Sequence, residues 1–163
     1  MCKKNSLKSL LRTSSFLLAA SLFILSCTHI DLYEKNVNIP GHQWKSDFRP
    51  SFSFTIKDLT VGYRLFFVIR HTEKYNYNNI WINLFSQPPG DSLRKVAYEI
   101  KLATDEKGWL GSGMDDIYEL RQPLTPGGLF LKPGEYHFSI EQIMREDPLL
   151  NVLSVGLRLE KNN

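Results

Sequence analysis

The chain has 163 residues, 42% of them hydrophobic, with 20 Lys+Arg against 17 Asp+Glu and a formal net charge of +3. Lys3, Lys4, Lys8 and Arg12 account for the sign: without them 16 basic groups face the same 17 acidic ones, a balance of −1. A nucleic-acid binder keeps a basic face in its mature domain, so no nucleic-acid partner is expected, and two cysteines in all exclude a disulfide-rich scaffold.

The first element is a targeting segment. A basic start is followed by an almost wholly apolar run from Phe16 to Leu25 and then by Ser26 and Cys27, the pattern of a secretory signal. Ten apolar residues are half of the roughly 20 that a spanning helix needs. Ile24-Leu25-Ser26-Cys27 resembles a bacterial lipobox, in which the cysteine is lipid-modified and the chain is cut just before it. Leu25 departs from the commonest residue at the second position. An ordinary cleaved signal with an incidental cysteine, and an uncleaved anchor, are the alternatives. Each buried CH₂ of an acyl chain contributes about 0.8 kcal/mol, so the two or three chains of a lipoprotein cysteine would hold the protein to a membrane permanently.

This reading assigns residues 1–26 to a lipoprotein signal peptide, 27–47 to the lipidated cysteine, tether and lead-in, and 48–163 to the folded domain. No cofactor is expected beyond the covalent lipid on Cys27. Cys2 is discarded with the signal, so no disulfide is available and the core must suffice. From Cys27 to Asn163 the mature chain is 137 residues, the size of one domain.

Residues 28–43 are mixed and polar and end at Ile39-Pro40-Gly41. Phe52, Phe54 and Ile56 then alternate with Ser53, Thr55 and Lys57, a period of two that predicts a half-buried strand. Tyr63–Arg70 is apolar on both faces, as in a strand covered on both sides. After the polar stretch 71–79, Ile80–Phe85 is a strand, and Pro88-Pro89-Gly90-Asp91 is a turn. Val96, Tyr98, Ile100 and Leu102 mark another strand. Thr104–Gly113 is glycine-rich and predicted to be irregular, Asp116–Leu120 a weak strand. Tyr136, Phe138 and Ile140 mark a clear strand, Glu141–Glu146 suits a helical turn stopped by Pro148, and Val152–Glu160 closes the chain as a strand.

Seven or eight short strands without a sustained helical repeat predict one all-β domain, a β-sandwich of jelly-roll or immunoglobulin-like type. Chemistry is sparse. His29, His42, His71 and His137 are scattered and lack zinc-ligand spacing. Ser112 lies in Gly-Ser-Gly, one residue short of a nucleophile elbow. Asp105, Glu106, Asp115, Asp116 and Glu119 do not follow the order of a calcium loop, so they suit a solvated acidic loop and no metal is expected. No nucleophile, base and orienting group converge, so the chain is not expected to be an enzyme.

The candidate binding residues are aromatic or polar. Trp109, in a loop with Gly111, Gly113 and Asp116, and Tyr75 with Tyr77 in the polar stretch could stack on a sugar or a partner. Alternatively, Trp109 plugs one end of the sandwich while the glycines let the chain turn around it. Arg70, Gln142 and Arg145 could hold strand ends or form a binding patch.

The order of segments resembles the gliding motility lipoprotein GldH family of the Bacteroidota. The residues that carry the resemblance are Cys27, FSFTIKD at 52–58, YRLFFVIRHTEKYNYNNIWI at 63–82, GWLGSGMDDIYE at 108–119, GEYHFSIEQIMR at 134–145 and VGLRLE at 155–160. The resemblance implies an envelope lipoprotein required for movement over surfaces, a non-catalytic component working with other gliding and type IX secretion proteins, and it brings no catalytic residue. In this phylum surface export is usually signalled by an acidic cluster after the lipidated cysteine. Thr28-His29-Ile30-Asp31 holds one acid, so the expected location is the periplasmic face of the outer membrane. A glycan-binding envelope lipoprotein using the loop aromatics is the alternative.

Overall fold

The structure is a computed structural model that describes residues 32–162. Eight main strands carry the fold: β1 (Leu32–Asn38), β2 (Ser51–Ile56), β3 (Gly62–Thr72), β4 (Asn79–Gln87), β5 (Arg94–Lys101), β6 (Ile117–Pro123), β7 (Gly134–Gln142) and β8 (Val152–Asn162). They form two antiparallel sheets, β1-β8-β3-β6 and β2-β7-β4-β5, and the short strand Ser112–Met114 extends the first beyond β6. An immunoglobulin sandwich divides its strands differently. Two interlocked Greek keys over eight strands make a jelly roll, and that is the order here.

The period-two pattern explains which faces meet. Phe52, Phe54 and Ile56 of β2 turn inward with Tyr136, Phe138 and Ile140 of β7 and with Ile80, Ile82 and Leu84 of β4. Leu65, Phe67 and Ile69 of β3 and Val155, Leu157 and Leu159 of β8 meet them from the other sheet. β3 and β8 are the middle pair of their sheet, which is why both read as nearly continuous apolar runs.

Four expectations are corrected. The segment assigned to tether and lead-in is part of the fold from Leu32 onward. β1 pairs with β8 along its length, from Leu32 opposite Glu160 to Asn38 opposite Ser154. Gln43–Trp44 pairs with Leu149–Leu150, and Trp44 is fully buried, its indole N–H donating to the Phe48 carbonyl at 2.9 Å. The folded unit therefore includes the chain from Leu32 onward and not only from residue 48. The helical turn over Glu141–Glu146 is absent, because Glu141 and Gln142 finish β7 and bond into the ladder of β4. The glycine-rich region is not wholly irregular: Ala103–Thr104 pairs with Gly108–Trp109 and Ser112–Met114 pairs with β6. The weak strand at 116–120 is a seven-residue one, with Pro123 as its last residue.

The topology sorts every connection to one of two ends. Leu32, the turn 57–61, the turn 88–93, the segment 124–133 and Asn162 lie at the proximal end. The connections 39–50, 73–78, 102–116 and 143–151 lie at the distal end. Residues 1–31, including Cys27, lie outside the described residues.

Candidate functional site

His71 organises the distal end. It continues the inward row of Leu65, Phe67 and Ile69 at the end of β3, with Tyr118 of β6 on one side in register and Val152 of β8 on the other. Its imidazole is fully buried, its ring centroid 4.6 Å from Trp109, 5.4 Å from Tyr75 and 5.9 Å from Tyr118. Nδ1–H donates to the Thr72 carbonyl at 2.9 Å, while Nε2 has no hydrogen-bond partner. Burial lowers its pKa and outweighs the opposing Thr72 bond, because an apolar surround penalises the imidazolium. The ring is therefore a neutral packing element.

The predicted aromatics are drawn into this packing. Tyr75 is 4% exposed, its hydroxyl donating to the Asn79 carbonyl at 3.1 Å, and burial raises its pKa. Tyr77 lies edge-on to Tyr75, with the Glu146 carboxylate at its hydroxyl. Trp109 is half-buried and packs on the core beside His71, Tyr75 and Tyr118.

The loop glycines serve the same end. Gly111 has φ +90°, and a side chain there would put its Cβ 2.1 Å from the Glu119 carbonyl oxygen. Gly113 faces the ring of Tyr118, its partner across the strand pair. Asp116 is exposed, and its backbone carbonyl accepts from the Glu73 N–H at 2.8 Å. Among the described residues, no group of three or more His, Cys, Asp or Glu is placed to hold a metal ion.

Arg70, Gln142 and Arg145 do not form one network. Arg70 belongs to an ionic ladder on the outer face of the first sheet. It pairs with Glu119 at 3.7 Å; Arg121 joins Glu119 at 2.7 Å to Glu34 at 3.3 Å; Arg158 joins Glu34 at 2.8 Å to Glu160; and Arg64 reaches Glu160 at 3.4 Å. Val68 and Gly156 sit in register between Arg121 and β1. Gly156 leaves room for the Asn36 side chain and the Lys35 carbonyl, which an added Cβ would strike, and Val68 is fully buried although it points away from the main core.

Gln142, 1% exposed, is a splint. Its oxygen accepts the Met144 N–H at 2.8 Å, and its nitrogen donates to the carbonyls of Trp44 and Glu146, each at 3.4 Å. Arg145 stands exposed on the connection that follows.

Sequence reasoning missed the proximal end. There a cleft of about 340 Å³ opens between the sheets, lined by Tyr63, Leu84, Val96, Tyr136, Leu129 and Phe130. It also missed His71, which lies where the strand pattern meets the polar stretch; the spacing Leu65, Phe67, Ile69, His71 was the available signal. Together these features offer contact surfaces: an ionic face, an aromatic end and an apolar end.

The model of the GldH lipoprotein family matches residues 31–159. The gliding motility lipoprotein GldH of Flavobacterium johnsoniae is 24% identical over 160 residues, covering 94% of this chain and 99% of the relative. A gliding motility lipoprotein GldH homolog of Christiangramia forsetii is 28% identical over 145 residues, covering 85% of this chain and 88% of the relative. Among solved structures, a carbohydrate-binding module specific for non-crystalline cellulose covers 80% of this chain and 73% of its own, at 14% identity and a TM-score of 0.44. A likeness that loose carries no functional argument.

Proposed function

This chain belongs to the GldH lipoprotein family, and from that membership we propose that it serves gliding motility by contact rather than by turnover. It is a non-catalytic subunit of the gliding apparatus and its associated secretion machinery, acylated at Cys27 and held on the periplasmic face of the outer membrane. One observation carries this reading: the family match spans nearly the whole folded unit and begins within a few residues of Cys27. The ionic face and the loops at both ends are the surfaces through which such a subunit would meet its neighbours. The glycan alternative is weakened by the burial of Tyr75, which leaves that ring no face for a sugar.

The test is made in a gliding host that depends on this protein. Cys27→Ala removes the acylation site while leaving the described domain untouched, and spreading is expected to be lost. Normal spreading by an exported, soluble Cys27→Ala protein would overturn the anchor. Crosslinking in living cells followed by pull-down of the tagged lipoprotein is expected to recover gliding or secretion proteins. Recovery of none, with saturable glycan binding that Trp109→Ala weakens, would favour the alternative.

A further inference from the structure

We infer that the proximal end of the sandwich is a membrane-contact surface, which seats Leu59, Leu129 and Phe130 in the interface of the phospholipid leaflet that holds Cys27. The inference rests on the acylation reading above and adds an orientation to it. Two connections that are far apart in sequence each put apolar side chains into solvent at this one end: Phe130 is 82% exposed, Leu59 51% and Leu129 48%. Phe130 is presented by pinned backbone: the amide and carbonyl of Leu129 bond reciprocally to those of Tyr63, both at 2.7 Å. A folded protein gains nothing in water from such a cluster, and large exposed apolar patches mark interaction sites.

The tether identifies the occupant. β1 begins at Leu32, at this same end and five residues after Cys27. Five residues span at most about 17 Å, so an acylated Cys27 keeps these loops beside the bilayer. The charges fit a lipid surface as well. Lys57 and Lys132 are exposed beside the apolar side chains. Asp58 is engaged by Thr60 and Lys161, and Asp91 by Arg94. Glu135 is the exposed acid near them. The distal end also exposes apolar groups, Met114, Ile143 and Leu150, but its connections lie at the opposite end of the strands from Leu32.

The test uses the full lipoprotein reconstituted in vesicles of phosphatidylethanolamine and phosphatidylglycerol. A fluorophore is placed at Phe130→Cys or, as control, at Met114→Cys; acylated Cys27 has no free thiol to compete. Both positions are exposed, and circular dichroism checks that each variant is folded. Interfacial side chains sit ~5–10 Å into the headgroup and acyl boundary, so lipid-borne nitroxide is expected to quench position 130 about threefold more than position 114. Equal quenching of the two in acylated protein would overturn the docking and leave the anchor standing. A bare Cys27 by mass spectrometry of the same sample would overturn both.

Discussion

The guanidinium of Arg158, on the last strand, donates to the carboxylate of Glu34, on the first, at 2.8 Å. This bond ties the edge strand β1 into the centre of its sheet and begins the ladder that runs on to Arg70. Burial raises the pKa of Glu34, but the hydrogen bonds from Arg158 and Arg121 more than offset it, and the net shift is downward. The carboxylate therefore contributes stability as an anion. That contribution is complete above its unfolded pKa of about 4.5 and is lost as pH falls through the lower folded value. Glu34→Gln is expected to cost about 1–2 kcal/mol at pH 7, between an exposed ion pair and a buried charged hydrogen bond. Urea unfolding at pH 7 and pH 3 checks it, since the gap between wild type and variant should shrink in acid.

His71 titrates in the same sense by a different cause. Its pKa is lowered, so the unfolded chain takes up a proton that the folded one refuses. Stability from this group is whole above about 6.5 and declines as pH drops toward the folded pKa, with a slope of up to about 1.4 kcal/mol per pH unit. Burial raises the pKa of Tyr75, which faces the ring, so that group stays neutral across this range. His71→Phe is expected to flatten the profile between pH 6.5 and 5, as read from denaturation midpoints. An unchanged slope would assign the acid sensitivity to other groups.

Gly111 is required by backbone geometry. Gly111→Ala would place a methyl group against the Glu119 carbonyl in a left-handed backbone conformation, at a cost of about 1–3 kcal/mol. Gly127→Ala, with nothing within 4 Å of the added Cβ, is expected to be near neutral. Thermal melts of the pair check the contrast.

Trp44 decides where the domain begins. Trp44→Ala is expected to lose about 3–5 kcal/mol, a loss that substitution in a free tether would not cause. A chain starting at Phe48, which lacks both β1 and Trp44, is expected to stay unfolded by circular dichroism. Gln142→Leu is expected to cost about 1–3 kcal/mol, because the Met144 N–H and the Trp44 carbonyl lose their partner.

Legibility followed the pattern of burial. β2, β4, β7 and β8 were visible because one or both of their faces are apolar. β1 was not: Tyr33 and Val37 alternate with Glu34 and Asn36, too short and too charged a run to stand out, and its place depends on Arg158 at the far end of the chain. Among the candidate residues, the glycines and Trp109 were found by composition, but their partners were not, since Glu119, Tyr118 and His71 reach them only through strand pairing. The apolar side chains of the proximal end are spread over two connections, each of which reads alone as an ordinary turn.

By itself, the sequence determined the strand-rich sandwich and the family, and it raised the expectation of a targeting segment, because signal composition, period-two alternation and local motifs are properties of neighbouring residues. Only the tertiary structure decided the jelly-roll order, the inclusion of β1 in the domain, the burial of Tyr75 and His71, and the gathering of separate turns at the end of the sheets where β1 begins. Those follow from which strands pair across long separations, and loop-closure entropy and packing set that choice across the whole chain at once.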